Sequence, residues 1–77
     1  MEKDIIFLRI RETYSKKKDK TYYIIEYIQD KEHITEFITE EMYAQLKVTK
    51  LEFLGKYKGI YDINPFNRKL QLINIKQ

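Results

Sequence analysis

The sequence has no cysteine and no tryptophan, one proline, two glycines, one histidine and one serine among its 77 residues. Without cysteine there is neither a disulfide nor a thiolate metal site to staple so short a chain, so stability must come from burying apolar surface or from pairing with another chain. With only Gly55 and Gly59, no glycine-rich phosphate loop can be written. Ser15 and His33 stand alone as nucleophile and base candidates, and His33 lies in the acidic run from Asp30 to Glu36, where a solvated turn residue is expected. Glu40 and Glu41 are adjacent, so on a helix they diverge and cannot act as an acid and base pair. These absences argue against an enzyme, a cofactor and a metal centre. No apolar run approaches the roughly 20 residues that cross a bilayer, and Met1 to Leu8 carries no signal-peptide pattern, so a cytoplasmic protein in a bacterial host is expected, with no membrane partner.

What is present is charge, unevenly spread. The net charge is +3. Residues 1–20 carry seven bases and four acids, residues 21–41 one base and six acids, and residues 42–77 seven bases and two acids. Two basic segments therefore flank an acidic one. Twelve of the bases are lysine and twelve residues are isoleucine, a usage typical of an AT-rich coding sequence, so lysine abundance carries less weight than lysine position.

A length of 77 residues fits one domain, 1–77. From Asp4 to Arg11 the apolar residues Ile6, Leu8 and Ile10 alternate with Arg9 and Arg11, the period of a half-buried strand. Thr21 to Gln29 is rich in tyrosine and isoleucine, and the lysines between it and the first strand make a basic hairpin. His33 to Ile38 alternates again, with Ile34 and Ile38 on one side and Thr35 and Phe37 on the other. Thr39 is a good N-cap, Glu40 and Glu41 suit a first helical turn, and Met42 and Leu46 share a stripe, which predicts a short helix over about 39–47. Leu51 to Ile63 reads as a strand broken by Gly55 and Gly59, marking a bulge or bend, and Lys69 to Ile75 as a last strand whose apolar phase switches between Leu72 and Ile73. The fold class expected is mainly β, a small five-stranded antiparallel OB-fold-like barrel with one short helix between strands 3 and 4. An SH3-like barrel is the competitor, although its helical element is usually a single 3₁₀ turn.

Unpaired polynucleotides are held by a cationic groove and by ring faces on which bases stack. Lysines and aromatics interleave here in three places, and the candidate contacts are Tyr14, Lys16, Lys17, Lys18, Lys20 and Tyr22 in the first hairpin, Lys56, Tyr57 and Lys58 on the fourth strand, and Phe66, Arg68 and Lys69 in the last turn. Phe7, Phe37 and Phe53 are expected in the core, and Tyr23 and Tyr27 to pack.

In Ser15, Lys16, Lys20 and Tyr22, then Gly59, Ile60 and Tyr61, then Phe66 ahead of Leu70 to Ile75, the chain resembles the gene V type single-stranded DNA-binding proteins of filamentous phages and mobile elements. It departs from them at Lys18-Asp19, where the family hairpin has glycine, and at Thr21, where it has proline. The resemblance implies an OB-fold homodimer that coats single strands without reading sequence, with basic hairpin residues on phosphates and tyrosine or phenylalanine on bases. Single-stranded DNA is the expected partner, and RNA the variant of it. The contrasting expectation is a protein-interaction module inhibiting a host enzyme through the acidic stretch Glu26 to Glu41; a small barrel for duplex DNA is a third. The side on which Glu36, Glu40 and Glu41 fall relative to Lys16–Lys20 separates the first two.

Overall fold

The computed structural model describes residues 1–77. Its elements are β1 (Glu2–Ser15), β2 (Lys20–Gln29), β3 (Glu32–Ile38), α1 (Glu40–Thr49), β4 (Lys56–Ile63) and β5 (Leu70–Lys76). All strand pairs are antiparallel in one sheet of order β3-β2-β1-β4-β5, with the helix between the third and fourth strands. The mainly β class and the element order are as the sequence predicts. The sheet is not closed, however: β3 and β5 are its two edges and do not pair. Met42 and Leu46 of α1 instead enter the core against the sheet, supplying packing that closure would otherwise have provided.

β1 is the central strand. Ile6 pairs at once with Ile28 of β2 and Lys56 of β4, so the first part of β1 joins β4 and the rest joins β2. The apolar phase expected for β1 needs correction. Ile5 and Phe7, not Ile6 and Leu8, are the buried residues, because a bulge between Phe7 and Arg9 inserts one residue and reverses the alternation, after which Ile10 returns to the core side. The same device on β5 is the one anticipated from its phase switch: the register shifts between Ile60 and Tyr61, leaving Ile73 unpaired so that Leu72 and Ile75 both reach the core.

The core side collects Ile5, Phe7, Ile25, Tyr27, Met42, Leu46, Tyr61, Leu72 and Ile75. The buried phenols find acceptors: Tyr27 donates to Glu36 Oε1 at 2.6 Å and Tyr61 to Gln29 Oε1 at 2.9 Å. Thr39 caps α1 as expected, its hydroxyl accepting from the Met42 N–H at 3.1 Å, and the helix runs to Thr49 before Lys50 ends it in the left-handed region. Residues 51–55 form a turn rather than the start of a strand, so Phe53 loses the strand phase that suggested burial and is 70% exposed. Phe37 is likewise outside the core, 67% exposed, because it alternates against Ile34 and Ile38. Phe7 packs as expected.

Candidate nucleic-acid interface

Strand register sorts the side chains into two faces. The core side holds the helix. On the opposite, outer face, successive rows run across the strands: Thr13 beside Tyr22, then Arg11, Ile24 and Phe37, then Arg9, Glu26 and Thr35, then Lys56, Ile6, Ile28 and His33, then Asp4 beside Lys58. Ser15 and Lys20 pair at the hairpin end of the same face. Lys20, Tyr22, Lys56 and Lys58 therefore share one side of the sheet.

The aromatic part of this face is a pair. The rings of Tyr22 and Phe37 lie with centroids 5.6 Å apart, and the Lys20 ammonium sits 5.3 Å from the Tyr22 centroid. They flank Ile24, which is only 6% exposed although it points away from the helix. A small dent runs past them to Glu40 at the start of α1.

The cationic part begins one row further on. Glu26 Oε2 accepts from Arg9 Nε at 2.5 Å and from Arg11 Nε at 3.1 Å, while Oε1 is 3.3 Å from His33 Nε2. The hydrogen bond from Arg9 holds the Glu26 carboxyl below its ordinary value near 4.5, against burial, with Arg11 acting in the same direction as Arg9. Because the folded-state value is lowered, this stabilisation is present above about pH 4.5 and is lost as pH falls through the lowered value. Urea midpoints measured from pH 7 down to pH 3 should fall more steeply for the native chain than for Glu26→Gln; parallel curves would mean that the triad does not contribute.

Beyond the arginines, Ile6 and Ile28 floor an open concavity of about 670 Å³ whose walls carry Lys31, Lys56 and Lys58 together with Asp4 and Asp30. Lys58 bonds to Asp4, which raises the ammonium's pKa.

The remaining expected contacts lie elsewhere. Lys16, Lys17 and Lys18 are exposed in the β1–β2 turn, at the edge of the outer face. Tyr14 lies on the helix side of the hairpin, and its phenol bonds to Asp19, raising its pKa. Tyr57 also points to the helix side: it meets Phe7 edge to face at 6.5 Å, and its hydroxyl accepts from the Glu52 N–H at 2.8 Å. It is not brought together with Tyr22. Phe66, Arg68 and Lys69 occupy the β4–β5 turn, with Phe66 96% exposed. That turn lies beyond the Glu2 end of β1, whereas Lys16–Lys18 follow its Ser15 end. The sequence reading missed Phe37, Arg9 and Arg11 as outer-face residues of the site, although the alternation along β1 and β3 already separated them from the isoleucines.

Glu36 faces the helix side, bonded to Tyr27, and Glu41 belongs to the first turn of α1; Glu40 alone reaches the rim of the Tyr22–Phe37 dent. No group of three or more His, Cys, Asp or Glu comes together to hold a metal ion, and no helix is long and apolar enough to cross a membrane. No family model, curated protein or solved structure matches the chain.

Proposed function

We propose that the chain is a non-enzymatic, sequence-tolerant single-stranded DNA-binding protein serving replication or transfer of a phage or mobile element. The observation that carries this is the shared face: the Tyr22 and Phe37 rings beside Lys20, Arg11 in the row of Phe37 and Arg9 in the next, with Lys56 and Lys58 beyond, while Glu36 faces the helix side, Glu41 sits in the first turn of α1 and Glu40 reaches the rim of the ring pair. Rings accept any base on their faces and ammonium or guanidinium groups accept any phosphate, so such a surface holds a strand without reading it. The basic hairpin that resembles the gene V type proteins borders this face, and the class of element is drawn from that resemblance. RNA would meet the same chemistry.

A homodimer belongs to the same reading. Ile63, Phe66, Leu70 and Ile73 are exposed along the β4–β5 hairpin and β5 is an unpaired edge, apolar surface of the kind a second copy covers. The contrasting module, working through the acidic stretch, has less to support it. Glu26 is engaged by arginines and Glu36 by Tyr27, and the acids left exposed are divided between Asp30 and Glu32 at one end of β3 and Glu40 and Glu41 at the other.

The test is intrinsic tyrosine fluorescence during titration with oligothymidine at low and high salt, with duplex DNA as control. Quenching by single strands, falling with salt at a log–log slope of about −0.7 per phosphate contact, is expected. Lys20→Ala should reduce that slope by about 0.7, and Tyr22→Ala should weaken binding with the slope unchanged. A salt-independent curve, or equal behaviour of the two variants, sinks the proposal.

A further inference from the structure

Arg9 and Arg11 approach Glu26 in an uncommon way. Both use Nε, both reach the same oxygen, and neither side chain makes another hydrogen bond within the protein. Each guanidinium therefore keeps its terminal nitrogens free. The Glu26 side chain is only 11% exposed, against 65% for Arg9 and 40% for Arg11, so the carboxylate lies beneath and the cations above. Two guanidiniums two residues apart on one strand repel each other; the carboxylate offsets that repulsion and fixes their planes. The outcome is a pair of outward, pre-positioned forks, the geometry that suits a phosphate better than an ammonium does.

Their place on the sheet matters equally. Arg11 shares a row with Phe37, and Arg9 lies in the next row, two residues along the strand or about 7 Å. A base stacked on the Tyr22–Phe37 pair would have its neighbouring phosphate on the side of the sheet where Arg11, and then Arg9, follow in register. We propose that Arg9 and Arg11 form a seat for one phosphodiester group and that Glu26 is its positioning residue. This rests on the reading of the outer face as a polynucleotide surface and adds a specific locus to it.

Glu26→Gln separates this from an ordinary structural ion cluster, because the two make opposite predictions. If Glu26 only adds negative charge to the face, its removal tightens binding of a polyanion. If it positions the seat, Glu26→Gln weakens oligothymidine binding about tenfold, the equivalent of one charge-assisted hydrogen bond, in spite of the more positive charge. Arg11→Lys, which keeps the charge and loses the fork, should weaken it also. Arg9→Ala with Arg11→Ala should lower the salt slope by about 0.7, one phosphate, rather than twice that. The arginine variants decide the matter if thermal melts show Glu26→Gln to be unfolded.

A second readout does not depend on DNA. Inorganic phosphate titrated into labelled protein should shift the terminal Nη–Hη signals of Arg9 and Arg11 together, and should no longer shift the two together in Glu26→Gln. Phosphate shifts without oligothymidine binding would uphold the seat and overturn the proposed function. Oligothymidine binding that is unchanged or tighter in Glu26→Gln, and unchanged in Arg11→Lys, would overturn the seat and leave the proposed function standing.

Discussion

Phe37→Ala is expected to weaken oligothymidine binding by about 1–3 kcal/mol, roughly 5- to 150-fold, while shifting the thermal midpoint by a few degrees at most. The contrast between the two effects is the informative part. A phenylalanine packed in a core costs about 3–5 kcal/mol of stability when cut to alanine. Phe37 is 67% exposed and meets mainly the Tyr22 ring, so its removal takes away a stacking surface and little of the packing. The slope of affinity against salt should not change, since no charge is lost. Calorimetry and a binding titration on the same preparation suffice: a large loss of stability with unaltered affinity would return Phe37 to the core and remove the aromatic half of the interface.

Ile25→Ala is expected to cost about 2–5 kcal/mol of folding free energy. Ile25 is fully buried at the middle of the sheet, between Ile10 of β1 and Glu36 of β3 in register. A chain of this length commonly holds a total of about 4–12 kcal/mol, so one deletion of this size removes a large part of it. Urea unfolding of Ile25→Ala beside Ile25→Val, for which about 0.5–1.5 kcal/mol is expected, gives the comparison. Because Ile25 points to the helix side, DNA affinity measured where the variant is still folded should match the native chain. A cost for Ile25→Ala below that of Ile25→Val would mean that the interior is not the one described.

Local pattern carried the elements well where each could be read within one segment. Thr39, Met42 and Leu46 announced the helix, and the phase switch between Leu72 and Ile73 announced the irregularity on β5. The bulge beside Leu8 had no such signature, since Ile5, Ile6, Phe7 and Leu8 form a continuous apolar run in which either phase looks plausible. Gly59 signals a bulge or bend in the sequence, and the register does shift one residue on, between Ile60 and Tyr61; at Gly59 itself the need is for space, since an added Cβ would meet Leu72 Cδ1 and Tyr61 Cε1 at 3.0 Å. No short-range pattern reports that crowding, because Leu72 comes from another strand.

The site divides along the same line. Lys20 and Tyr22 are two residues apart in a strand and therefore share a face. Lys56, Tyr57 and Lys58 are consecutive, so the tyrosine must point opposite to both lysines, and nearness in sequence was misleading there. Joining Phe37 to Tyr22, and Glu26 to Arg9 and Arg11, required the pairing of three strands.

That pairing also orders the birth of the molecule. β1 has one neighbour that follows it directly and another that is translated last but one, for Glu2 lies opposite Ile60. At roughly 5–20 residues per second, a ribosome releases Ile5 to Leu8 several seconds before β4 exists to cover them. Until β4 docks, the Glu2–Ile6 part of β1 is an unpaired edge, and the closing of so distant a contact belongs to the slow class of folding events. An edge that stays open until this last long-range pairing forms is where unfinished copies of the chain would associate with one another.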